Sequence, residues 1–225
     1  MRSYILLVLI IYFLAASCTT SKIITSGLPP SEISDLKLLE PRSYISIITK
    51  GNRGEINDSL CSVSSQLIMK VTESFRGQVP LTGNILLSGT ETNTSLEKEF
   101  ESLLLTAEGM KDLSHLQITP VLDKVLEANE TRFGLVIVSS GFTRLKGNYG
   151  KQIVKGAALG LLTLGMYAQT PVKANSIIYA MIVDSEKNNV AFFRKSTLQD
   201  SEPLDEAILT RQFRTIFSGY FPEVK

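Results

Sequence analysis

The chain has 225 residues, 44% of them hydrophobic and 20% charged, with 23 basic against 22 acidic side chains and a net charge of +1. That balance belongs to a folded globular protein and excludes a disordered chain; it also argues against a general nucleic-acid binder, which needs a basic surface. Two cysteines, one histidine and no tryptophan exclude a disulfide framework, supply no zinc-type ligand cluster and offer no indole platform for stacking on sugars.

The chain opens with Met1-Arg2, then an unbroken apolar run from Tyr4 to Leu14, then the small residues Ala15-Ala16-Ser17. A charged start, a short apolar stretch and small residues make a secretory signal. The eleven-residue run is too short for a hydrocarbon core of about 30 Å, which needs ~20 residues. Cys18 follows at once. Leu14-Ala15-Ala16-Ser17-Cys18 resembles the lipobox of a bacterial lipoprotein precursor, with Leu14 one place earlier than the family pattern prefers. The resemblance implies that residues 1–17 are removed and that Cys18 is acylated and becomes the first residue. Two or more acyl chains anchor a protein stably. The alternative is an ordinary signal cut near Ala16 or Ser17, leaving Cys18 a plain thiol. Thr19 follows the cysteine and no acidic residue occurs before Glu32; this resembles lipoproteins sorted to the outer membrane and facing the periplasm. Cleavage removes Arg2, one of the 23 basic residues, and leaves 22 against 22.

Residues 18–41, with Ser, Thr, Gly27 and Pro29-Pro30, read as the lipidated cysteine and a tether, and residues 42–225 as one domain. Ser43–Thr49 is rich in β-formers and precedes the turn Gly51-Asn52-Arg53-Gly54, so it predicts a strand. Asn57 or Asp58 can cap a helix whose apolar stripe is Leu60, Val63, Leu67, Ile68, Val71 and Phe75. Cys61 lies beside that stripe as a small hydrophobe. Asn84–Ser88 predicts a second strand, and helices follow around Ser95–Thr106 and Val121–Ala128. Gly134–Ser140, with its apolar centre, suits a central strand covered on both faces. Ser176–Val183 and Val190–Arg194 form a hairpin across Asn188-Asn189, which tolerates positive φ. From Pro203 a last helix buries Leu204, Ala207, Ile208, Phe213, Ile216, Phe217 and Tyr220. The order β-α-β-α-α-β-α-β-β-α predicts an α/β (α+β) fold: one mixed sheet of about five strands with helices packed on it, closed by the hairpin and the C-terminal helix.

Between Glu130 and Asp184 there is no acidic residue, while Arg132, Arg144, Lys146, Lys151, Lys155 and Lys173 are basic. Acidic neighbours from other segments can neutralise such a stretch; otherwise it asks for an anionic partner. Within it, residues 147–167 are Gly-rich. Gly156 and Gly160 fall on one helical face and permit close packing, and glycine in a helix interior costs about 1 kcal/mol relative to Ala. Arg144, Lys146, Lys151 and Lys155 form a basic collar suited to anionic headgroups. The other reading is a core helix packed closely on the sheet. Gly150-Lys151 is not a phosphate loop: Gln152 stands where Ser or Thr should, and the earlier glycine is missing.

A catalyst is hard to find. Ser139-Ser140-Gly141 at a strand end lacks the first glycine of a nucleophile elbow, and His115 is the only imidazole. No cofactor or metal is expected. The lipobox, mixed α/β order and closing hairpin-plus-helix look like uncharacterised lipoproteins of Bacteroides-type bacteria, and the element order alone resembles the domain of curli-secretion-type lipoproteins. These resemblances imply a non-enzymatic, outer-membrane-anchored periplasmic lipoprotein that binds or helps assemble envelope proteins. It would meet the membrane through its anchor, bind no nucleic acid and be capable of forming oligomers. Two other expectations stand beside it: an oligomer inserting residues 147–167 into the membrane, and an unrecognised hydrolase using Ser139 or Ser140 with His115.

Overall fold

The fold is described from a computed structural model covering residues 18–87, 90–154 and 171–224. Among these residues nine strands form a single mixed sheet, where the sequence predicts about five. The strands are β1 (Cys18–Thr20), β2 (Ile24–Thr25), β3 (Leu36–Leu39), β4 (Arg42–Lys50), β5 (Arg53–Ile56), β6 (Leu81–Ile85), β7 (Phe133–Arg144), β8 (Asn175–Asp184) and β9 (Asn189–Gln199). Four helices are α1 (Asp58–Ser74), α2 (Thr90–Glu108), α3 (Pro120–Ala128) and α4 (Glu206–Phe217), and residues 148–154 are also helical.

β7 is the axis. It pairs antiparallel with β8 along ten residues and parallel, on its other edge, with β3 and then β4. β3 and β4 are one edge path broken at Pro41, which has no N–H to give a ladder. Beyond the break the sheet forks: β6 lies on β3 and β5 on β4. On the far side, β9 pairs with β8, and β1 and β2 both pair with β9.

Four strands were not anticipated, and the reason is local. Cys18–Leu39 reads as a spacer because Ser, Thr, Gly and Pro dominate it, yet Leu28, Ile33, Leu36, Leu38 and Leu39 are buried. Two- to four-residue strands of this kind carry no periodicity of their own and exist only because β9 and β7 offer them an edge. β5 is exposed throughout and likewise lacks any apolar alternation.

Helices cover both faces of the sheet, which is why β7 is apolar without alternation. Leu135 and Ile137 join Ile68, Val71, Phe213 and Phe217 of α1 and α4 on one face. Val136 and Val138 join Leu96, Phe100, Leu122 and Leu126 of α2 and α3 on the other. Gly134 lets α3 pack closely on the sheet: a Cβ there would stand 2.7 Å from both Leu126 Cδ2 and Leu39 Cδ1, and those buried side chains would have to move.

The caps follow the sequence closely. Asn57 Oδ1 accepts from Leu60 N at 3.0 Å and starts α1. α4 starts later than Pro203 suggests, because Asp205 Oδ1 accepts from Ala207 N and Ile208 N. Its inward stripe is therefore Leu209, Gln212, Phe213, Ile216 and Phe217; Ala207 is exposed. Arg194 of β9 closes the helix, donating to Thr215 O, Ile216 O and Ser218 O at 2.6–3.1 Å, a favourable place for a cation.

The hairpin turns where expected, with Asn188 at φ 50°. It is pinned to β7 by Asp184, fully buried, which Arg132 meets with two parallel N–H···O bonds of 2.9 and 2.8 Å. Asp184 Oδ1 also accepts from the turn amides of Glu186 and Lys187. Removing one partner of such a pair strands the other. Asp184→Ala is expected to cost on the order of 3 kcal/mol in urea unfolding. Glu186→Ala, which removes only a more exposed ion pair to Arg132, should cost less than about 1 kcal/mol.

Tyr220 ties the two ends of the chain together, its hydroxyl donating to Leu28 O at 3.0 Å. Burial, and then the charge of Glu32, push its phenol up to about 12, against about 10 in an unfolded chain. The folded state thus holds this proton more tightly, so the contribution is intact below about pH 10 and is lost as pH rises towards 12. Tyr220→Phe should cost about 1 kcal/mol at neutral pH, and the difference from wild type should shrink across that alkaline interval in pH-dependent unfolding.

Candidate functional site

The fork at Pro41 leaves the first half of β4 without a strand on its outer edge. α1 takes that place: Ile45 N donates to Cys61 Sγ at 3.2 Å, and Asn57 N donates to Ile45 O at 2.9 Å. Cys61 is therefore half-buried and engaged with the strand edge rather than simply packed beside the helix stripe. Cavities open on both sides of this half-strand. One of ≈ 290 Å³ lies against α2, walled by Phe100, Leu104, Val138 and the rings of Tyr44 and Tyr179, with Ser140 at its wall. The other, ≈ 330 Å³, lies against α1 and is walled by Ser43, Cys61, Ser65, Gln66 and Met69. Arg42, Tyr44 and Glu97 border both.

Arg42 Nη1 lies 3.8 Å from Glu97 Oε1. Burial first, and the negative charge of Glu97 next, raise the Tyr44 phenol above its usual range, so it stays a neutral donor and acceptor. Tyr179 carries the Lys195 ammonium over its ring at 5.1 Å, and Lys195 is paired with Glu108 at 2.6 Å. Apolar walls with a few convergent polar groups suit recognition of a small amphipathic group. Among the described residues no cluster of three His, Cys, Asp or Glu could hold a metal ion.

No local pattern in the sequence marks this cleft, since Glu97 and Glu101, one turn apart on α2, fit a solvated helix face equally well. Arg42, Tyr44 and Tyr179 come together only because β4, β7 and β8 are neighbours.

The residues singled out by sequence fall elsewhere. Ser139 is fully buried and accepts from Ser64 Oγ at 3.5 Å. His115 lies in the α2–α3 loop beside Leu116, whose carbonyl accepts from Val190 at the hairpin. Ser139 is six residues along β7 from Phe133, which faces Asp184 and, through it, Asn189. That separates the serines from the histidine by roughly 20 Å, so no Ser–His pair is assembled.

Arg144 is not a free headgroup contact. Its guanidinium donates to Val172 O, Gly51 O, Asn148 Oδ1 and Asn52 Oδ1 at 2.9–3.1 Å, locking the β4–β5 turn to the end of β7. Sequence reasoning could not see this, because every one of those partners is distant or uncharged. Lys146 and Lys151 are exposed. Lys155, Gly156 and Gly160 lie outside the described residues. Cys18 begins β1, paired with Leu198. Among the described residues no helix is long and apolar enough to cross a membrane. Arg144→Ala should cost about 2–3 kcal/mol in urea unfolding, since it leaves several carbonyls unpaired; Lys146→Ala should stay within about 0.5 kcal/mol.

No protein-family model and no curated protein sequence matches the chain. Among solved structures, this chain is weakly similar to a PelC dodecamer from Paraburkholderia phytofirmans, with a TM-score of 0.42 at 6% identity over 91% of this chain and 97% of that one. A point variant of that dodecamer gives a TM-score of 0.40 at 5% identity, with the same coverage.

Proposed function

We propose that this chain is a lipid-anchored protein of the bacterial envelope, held at the periplasmic face of the outer membrane, which works by binding and has no catalytic centre of its own. The observation that carries this reading is the position of Cys18. It closes the lipobox-like stretch Leu14-Ala15-Ala16-Ser17-Cys18, directly after the apolar run from Tyr4 to Leu14. From Cys18 to Thr20 the backbone pairs with Leu198 to Ser196 of β9, so acyl chains on Cys18 would sit directly against the sheet. The cleft around Arg42, Tyr44 and Glu97 is the binding element, since its walls are apolar and its polar groups few.

Intact mass and membrane fractionation of the expressed chain test the anchor beside a Cys18→Ala variant. The wild type is expected to carry the mass of its acyl chains and to sediment with outer membrane, while the variant stays soluble. A wild type that is soluble and bears no acyl mass overturns the reading.

A further inference from the structure

Cys18 has no spacer between it and the sheet. β1 pairs with the last residues of β9 and runs away from that end, Cys18 opposite Leu198 and Thr20 opposite Ser196. The row continues through Ser176 of β8 to Gly141 of β7. Cys18 therefore sits about three residues, roughly 10 Å, short of the row where β7 ends at Arg144. A chain cut before Cys18 points its amino terminus out of this same end of the sheet.

The loops at that end have a distinct composition. The stretch after β7 exposes Leu145 (49%), Ile153 (41%) and Val154 (69%) beside the exposed Lys146 and Lys151. Lys50 and Arg53 of the β4–β5 turn and Lys173 before β8 are exposed there too. Two acidic groups at this end are hydrogen-bonded within the fold, Asp200 accepting from Lys173 N at 2.8 Å and Glu202 from Thr143 Oγ1 at 2.8 Å, while Glu55 is exposed two residues further back on β5. Arg144 and Asn148 hold the two sides of the end together, Asn148 donating to Thr49 O at 3.2 Å.

From this placement we propose that the end of the sheet formed by the β4–β5 turn, residues 145–154 and Lys173 is a second membrane contact, lying flat on anionic phospholipid while Cys18 anchors the opposite corner. The inference rests on the anchored reading of Cys18. Three or four strand spacings of about 4.8 Å separate the two corners, so the anchor alone would let the domain pivot and the second contact fixes its tilt. Lysines supply attraction to the headgroups, and Leu145, Ile153 and Val154 enter the headgroup–acyl boundary, as amphipathic surfaces do. The cleft at Arg42 lies further back on the sheet, among residues 42–44 of β4 rather than at its end.

Because the chain contains no tryptophan, Val154→Trp introduces a unique reporter, and Lys187→Trp places the same probe in the hairpin at the other end. Each full-length acylated variant is purified and reconstituted in vesicles of phosphatidylethanolamine with a quarter phosphatidylglycerol, the acyl chains brominated. The indole of Val154→Trp should shift to the blue and be quenched, as expected for a depth of roughly 5–10 Å; that of Lys187→Trp should not. Equal quenching of both, or quenching of neither while the protein is vesicle-bound, overturns the contact. Soluble Cys18→Ala protein, residues 18–225, isolates the surface from the anchor. Its partition into the same vesicles should fall about 30-fold when Lys146→Gln and Lys151→Gln are combined, and should vanish at about 1 M salt, where the screening length is about 3 Å. Partition unchanged by both treatments also overturns it. If intact mass shows no acyl chain, the anchor reading fails by itself, and the Val154→Trp fluorescence in the Cys18→Ala background still decides whether this face meets the membrane.

Discussion

A twelve-residue strand buried for most of its length can be stable only if both its edges are hydrogen-bonded and both its faces are covered. β7 imposes those four demands, and nearly everything else meets one of them. β8 takes one edge, β3 and β4 share the other, α1 and α4 close one face, and α2 and α3 close the opposite one. Burial of the apolar side chains at about 25 cal/mol per Å² supplies the driving force, and the lateral pairing removes the cost of orphaned peptide groups.

Division of one β7 edge between two short strands creates the cleft. A continuous partner would have carried its own neighbour along its whole length. The break at Pro41 instead sends β6 and β5 to different stretches, and α1 fills the gap with a thiol and an amide from its N-cap turn. Arg42, Tyr44 and Glu97 are exposed to two cavities for that reason, not because the sequence marks them as a group.

The N-terminal segment alters the picture of the anchor. A flexible tether would let the domain roam above the headgroups, and a contact surface would then be indifferent to where Cys18 sits. Pairing of β1 and β2 with β9, strengthened by the bonds between Ser21 and the Lys195 backbone, holds Cys18, the proposed anchor point, against the domain. Under the proposed anchor, strand register decides which end of the sheet meets the bilayer.

Composition and local pattern were enough to locate β4, β7, β8 and β9, the four helices, the Asn57 cap, the hairpin at Asn188 and the α/β class, because each rests on periodicity or turn chemistry within a dozen residues; β6 runs over Leu81–Ile85 and overlaps the expected strand Asn84–Ser88 at only two residues. The short strands β1, β2, β3 and β5, the structural engagement of Arg144, the distance between Ser139 and His115, and the cleft at Arg42 were decided by the tertiary structure alone. A two-residue strand has no pattern to read, and an arginine shows its role only when the chain brings Gly51, Asn52, Asn148 and Val172 around it. Hydrogen-bond geometry and strand order, which are non-local, set those features.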